Sequence, residues 1–267
     1  MYTTFATCFY PLNSKFSADI YLRWTTHLLE NVKEFYLVLF TDEEGKKLLT
    51  DYFSPYYFKN PNIKIVVKPC EKWHNYQYKA HWIKNHKQNT LLNHRTEWKV
   101  HMLWSEKVHF VNDARTNQYF PPTEFYGWCD IGYFREGPCP SFAISHKILE
   151  LKKNKIYYAC VTTDEEMQKL KENIERKNEH GLPMIPIPPD QVSIAGGFFI
   201  AHHTKIEGWQ KIFDDKLCLY FAHNYLVKDD QIIIIDCIMS DPKRFEIITE
   251  NANPGNNPWF QFRRFLG

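Results

Sequence analysis

The chain has 267 residues, enough for one large domain or a compact pair with a sizeable core. Lysine plus arginine number 33 against 31 acids, a balance that excludes the strongly basic signature of a nucleic-acid binder. No uncharged apolar run reaches the roughly 18 residues that span a bilayer, so no membrane span is expected.

Aromatic residues make up 16% of the chain. That excess suits a densely packed core first, because aromatic side chains dominate burial, and a cleft that stacks on sugars or bases second. The seven cysteines (Cys8, Cys70, Cys129, Cys139, Cys160, Cys218 and Cys237) are odd in number and include no CxxC pair. They read as reduced, mostly buried thiols of a cytoplasmic-type compartment, and no basic-then-apolar leader opens the chain.

In chain order, Thr3 to Phe9 is the first strand and Ala18 to Asn31 a helix. The apolar run from Phe35 to Phe40 and the segment Ile63 to Val67 are the next strands. Trp73 to Asn93, rich in His, Lys, Trp and Tyr, has weak periodicity and reads as irregular or short-helical, a candidate lid. Glu97 to Asn117 is a stronger helix, and Phe125 to Asp130 is a buried central strand. Beyond Pro138 and Pro140 come a helix near Ser141 to Lys152 and a strand from Ile156 to Val161. Asp164 to Lys177 is a charged, exposed helix, and the proline-rich stretch Leu182 to Pro189 is a rigid loop. A strand from Val192 to Ala201, a helix from Thr204 to Phe221 and a helical or strand segment from Asp229 to Met239 complete the pattern. Strands alternating with helices predict one α/β domain, with a mostly parallel sheet and helices on both faces.

Four features bear on chemistry. Asp130 ends the run Phe125-Tyr126-Gly127-Trp128-Cys129, where open α/β sheets place their ligand crevice. It is either a cation- or phosphate-bridging carboxylate or a turn cap before Gly132, which stands where a second acid would have strengthened the metal reading. Lys107 falls in the middle of a helical face made by Val100, Leu103, Trp104, Val108, Val111 and Ala114. A lysine there snorkels, pairs with an acid such as Asp130, or touches a phosphate. Gly196-Gly197 inside an apolar run marks a packing bend or a close ligand approach, with the Ser193 hydroxyl nearby. Asp229-Asp230 either caps a helix or supplies a general base at a cleft rim.

None of the twelve histidines shows a metal spacing, and His202-His203 is the pair nearest a candidate site. Lys79, Lys84, Lys87 and Arg95 either close over an anion or form a solvated surface. No GxGxxG, Walker or GxSxG motif occurs, which disfavours dinucleotide oxidoreductases, P-loop NTPases and serine hydrolases.

The ordered set Phe5-Ala6-Thr7, Met102 to Val111, Trp128 to Arg135, Ala195-Gly196-Gly197-Phe198-Phe199, Trp209, Lys228-Asp229-Asp230-Gln231 and Trp259-Phe260 resembles the HtrL/YibB family. These are glycosyltransferase-like proteins of bacterial lipopolysaccharide loci and large DNA viruses. The resemblance implies a single GT-A-like domain over 1–267, with a nucleotide-binding half (1–135) and an acceptor-binding half (136–267). It implies a nucleotide-diphosphate sugar donor, UDP-sugars first, a glycan hydroxyl as acceptor, and Mn²⁺ or Mg²⁺ at Asp130. Thr4, Phe5, Ala6 and Thr7 would then contact the nucleotide, and Lys107 the diphosphate or Asp130. Gly196 and Gly197 would line the sugar side, and Asp230 beside Asp229 would be the base if configuration inverts. The competing class is a sugar- or nucleotide-binding module without turnover, and a third is a phosphoesterase or nucleotidyltransferase.

Overall fold

Seven runs of apolar, largely β-branched and aromatic residues pair into one sheet: β1 (Thr3–Cys8), β2 (Tyr36–Thr41), β3 (Ile63–Val67), β4 (Phe125–Cys129), β5 (Ile156–Ala159), β6 (Phe198–His202) and β7 (Phe245–Ile248). The computed structural model describes residues 2–137, 139, 141–143, 145–250 and 255–267. The strand order is β3-β2-β1-β4-β6-β5-β7, and only β6 runs against its neighbours. This is the mostly parallel α/β architecture, with helices on both faces of the sheet, that the alternation of elements predicts. The sheet runs unbroken through both sides of residue 135.

Among the described residues ten α-helices surround the sheet: α1 (Ala18–Glu30), α2 (Glu43–Tyr52), α3 (Pro55–Phe58), α4 (Lys79–Gln88), α5 (Trp98–Thr116), α6 (Ser145–Leu149), α7 (Asp164–Glu175), α8 (His203–Ala222), α9 (Asp230–Ser240) and α10 (Gln261–Phe265). The period of two along each strand sorts its side chains between two cores. From β2, Val38 and Phe40 join the core under α5, α8 and α9, whereas Leu37 and Leu39 join the core under α1, α2 and α10.

From β1 the chain winds outward through β2 and β3, then returns to place β4 on the other flank of β1. The reversal makes the β1/β4 boundary a topological switch point, with a crevice outside the carboxyl ends of both strands. β6 contributes because it is antiparallel: Cys129 pairs with Phe198, so the amino end of β6 lies beside the carboxyl end of β4.

Three expectations are corrected. Trp73 to Asn93 is no lid: it forms a short helical turn (His74–Tyr78) and then α4. Trp82 is fully buried, and the Asn85 side chain both donates to and accepts from the Val227 backbone, at 2.7 and 2.9 Å. The strand expected from Val192 is regular only from Phe198, with Gly196-Gly197 forming the turn into it. The helix near Ser141 to Lys152 shrinks to α6, and residues 138, 140 and 144 before it lie outside the described residues. β7 and α10 had no counterpart in the pattern analysis. Among the described residues no helix is long and apolar enough to cross a membrane, and all seven cysteines are unpaired.

Candidate active site

The crevice at the switch point encloses about 450 Å³, within the range that takes small-molecule ligands. Its lining includes Lys107, Asp130, Gly196, Gly197, Asp229 and Asp230, which a span of over 120 residues separates in sequence. Each arrives by a different device. Asp130 follows the last residue of β4, and its backbone N–H extends the ladder by donating to the Gly197 carbonyl at 2.8 Å. Asp229 and Asp230 start α9, Asp229 as the flanking residue and Asp230 in the first turn, where the helix dipole favours negative charge. Lys107 projects from the middle of α5.

Lys107 organises the floor. Its ammonium donates to the Gly196 carbonyl at 2.8 Å and lies 3.1 Å from Asp230 Oδ2 and 3.3 Å from Asp130 Oδ1. One hydrogen bond and two ion-pair contacts therefore converge on one ammonium, and Asp230 Oδ2 is left without a hydrogen-bond partner. Burial disfavours the ammonium, but the Asp130 and Asp230 carboxylates outweigh it and hold its pKa above the ordinary lysine value. For Asp230, burial pushes the carboxyl up to about 6; Lys107 opposes the rise, while Asp229 and Asp130 reinforce it. The two carboxylates differ in access: the Asp130 side chain is 38% exposed and that of Asp230 only 5%. Trp128 lies on the same strand face as Asp130, two residues earlier, and donates its indole N–H to Asp130 Oδ1 at 2.5 Å.

The glycines make room for these acids. A Cβ on Gly196 would come within 2.9 Å of Asp230 Oδ2, and one on Gly197 within 3.1 Å of Asp130 Oδ2. Gly132 has a different reason: a Cβ there would meet Trp24 Cε3 at 2.7 Å. The indole thus closes the position where a second acid would stand. The Arg135 guanidinium covers that indole at 4.7 Å and Phe260 at 5.0 Å, and Lys15 lies 4.7 Å over Trp104. Both cations line the crevice, and neither has an acid partner among the described residues.

A resident Mn²⁺ or Mg²⁺ asks for several oxygen ligands in one shell. Here the Lys107 ammonium contacts both Asp130 and Asp230, and Trp24 shuts off Gly132. Among the described residues no group of three acidic, imidazole or thiol donors converges in the crevice. Of Asp130, Asp229 and Asp230, only Asp130 is substantially exposed, so a cation there would draw most of its oxygens from a bound diphosphate and water.

Other expected site residues lie elsewhere. Thr4, Phe5, Ala6 and Thr7 are buried within β1 and do not line the crevice; the strand reaches it through Cys8, Phe9 and Tyr10. A parallel strand meets ligand at its carboxyl end, so contact falls a few residues later than expected. Thr4 instead hydrogen-bonds Thr123 at 2.9 Å, and Phe5 packs against Phe35, Phe142 and Phe198. His202-His203 sits at the far end of β6, where His202 faces Glu124 at 4.0 Å, because an antiparallel strand carries its last residues away from the crevice. Ser193 is buried outside the lining, and Lys79, Lys84, Lys87 and Arg95 do not reach it. Lys15, Trp24 and Trp104 line the crevice without having been singled out as ligand contacts.

No family model matches the sequence, and no curated protein does. Among solved structures the chain is similar to core-mannan synthase A from Aspergillus fumigatus in its Mn/GDP form. The two share 8% identity and superpose with a TM-score of 0.49, over 98% of this chain and 82% of the other. A likeness of that size carries no chemistry across.

Proposed function

We propose that this chain transfers a sugar from a nucleoside-diphosphate sugar to a glycan hydroxyl. The observation that carries the reading is Asp230: a buried carboxyl poised at about 6, in one crevice with Lys15 and Arg135, cations that have no acid partner among the described residues. A general base works best with a pKa near the operating pH, and a diphosphate needs fixed positive charge. Lys15 and Arg135 receive the diphosphate, and Phe16, Tyr21 and Trp104 offer stacking surface to the nucleoside. The acceptor oxygen bonds to the anomeric carbon as the bond from that carbon to the phosphate oxygen breaks. The electron pair leaves with the nucleoside diphosphate, and the acceptor proton passes to Asp230. Lys107 holds Asp130 and Asp230 in place, and no step needs a metal at Asp130.

The HtrL/YibB resemblance supports the same reaction class, and UDP-sugars are the first donors to test. The experiment is a panel of UDP- and GDP-sugars incubated with the protein, with and without EDTA, and read for free nucleoside diphosphate. Release that persists in EDTA and is lost in Asp230→Asn is the expected result. Nucleotide binding without release from any donor would make the chain a binding module. Free phosphate or pyrophosphate as the product would make it a phosphoesterase or nucleotidyltransferase.

A further inference from the structure

On the opposite side of α5 from Lys107, two positions and about 200° along the helix, His109 faces α8. Its Nε2 lies 2.8 Å from Asp214 Oδ1, and His74 Nε2 lies 3.7 Å from Asp214 Oδ2. The two imidazoles stack nearly parallel with centroids 4.0 Å apart. We propose that His74, His109 and Asp214 form a zinc site outside the crevice, a clasp joining the His74–Tyr78 turn to α5 and α8.

One donor atom from each of the three residues lies within 4.8 Å of the others, and three further observations bear on an ion here. First, the 3.7 Å separation is too long for a hydrogen bond. Ligands 2.0–2.1 Å from one tetrahedral zinc are about 3.3 Å apart, so the 3.7 Å pair has only to close slightly, while the 2.8 Å His109–Asp214 contact is a hydrogen bond that zinc would replace. Second, the Gln77 side-chain amide lies 3.1 Å from His74 Nε2 and donates to it in the assigned network. That nitrogen is then the unprotonated one, and ligation requires the Gln77 amide to give up the same lone pair. Third, the turn bearing His74 is pinned by a fully buried acid. Glu106 Oε1 accepts from the His74 backbone N–H at 2.7 Å, and Oε2 from that of Asn75 at 2.9 Å. Glu106 lies one turn before His109 on α5, so one helix supplies a ligand and the anchor of a second.

Two imidazole nitrogens and a carboxylate suit zinc better than Mg²⁺ or Mn²⁺, which prefer oxygen shells. His109 is buried and fixed; because the stacked rings hold their lone pairs in separate planes, the more exposed His74 ring must turn to reach the same ion. Binding displaces the proton that His109 shares with Asp214.

The test is zinc titration of the chelator-stripped full chain, read by calorimetry and by thermal unfolding. One equivalent and a raised Tm are expected. His74→Ala, on an exposed turn, and Asp214→Asn are expected to weaken uptake at least tenfold, with folding verified by circular dichroism. No zinc-dependent rise in the wild-type chain would overturn the site. So would equal uptake by both folded variants, which would place the ion on the free thiols. Neither outcome depends on sugar transfer, so this site and the crevice reading fail separately.

Discussion

Lys107 and Asp230 set the terms of the crevice at the scale of single residues. A carboxyl raised from 3.8 to about 6 stays protonated below that pH, so a base role predicts that kcat/KM falls with unit slope below about pH 6 and levels off above it. The same shift has the opposite sign for stability. Between pH 3.8 and about 6 the folded chain holds a proton that the unfolded chain releases, so this group's contribution to stability declines as pH rises. Asp230→Asn is expected to lower kcat by about a hundredfold or more and to remove that acid limb, as a pH–rate profile would record. Lys107→Met leaves Asp130 and Asp230 without the ammonium that both contact. Loss of one member of a buried ion cluster costs about 3–5 kcal/mol, measured by urea unfolding, and the acid limb is expected to move to higher pH in whatever activity survives.

Two glycines at the scale of elements separate what the fold needs from what the site needs. A Cβ on Gly127, inside β4, would lie 2.3 Å from the Phe199 carbonyl oxygen and 3.1 Å from Ile200 Cα, both backbone atoms of β6. Backbone in a paired strand yields poorly, so Gly127→Ala is expected to cost about 3 kcal/mol in chemical denaturation. At Gly196 the neighbours are the Asp230 carboxylate and Gln231 Cγ, which can move. Gly196→Ala should therefore unfold within a few degrees of wild type, yet lose activity tenfold or more as Asp230 is pushed off Lys107. That pair also marks how legible the elements were. β1 to β4 and α5 read directly because each is one uninterrupted run with a single period. The run Val192 to Ala201 deceived, because a buried turn is as apolar as the strand it enters. β7 was lost for the reverse reason: Phe245–Ile248 is four residues, one of them glutamate, too short to show a period.

At the scale of the whole molecule, long-range assembly decided what the sequence could reveal. Asp130, Lys107 and Asp230 were readable because each breaks a local rule: an acid closing a strand, a lysine in an apolar stripe, paired acids before isoleucines. Lys15 lies in an ordinary loop and His74, His109 and Asp214 are scattered, so only the sheet order and the α5–α8 contact bring them to their partners. Asp236 carries the same lesson into stability. It sits among the isoleucines of α9 with no exposure, yet three segments converge on it: Lys177 after α7, Lys216 and Tyr220 on α8, and Ser240 one turn along α9. Two ammonium groups and two hydroxyls share that carboxylate, so Asp236→Ala strands both lysines against an apolar core. The expected loss is about 3–5 kcal/mol, read as a lower urea midpoint. Because the carboxylate is buried, added salt should recover little of that loss. α9 also carries Asp230, so surviving Asp236→Ala protein should show weaker activity out of proportion to its folded fraction. Activity that merely tracks the folded fraction would mean that the two ends of α9 are mechanically independent.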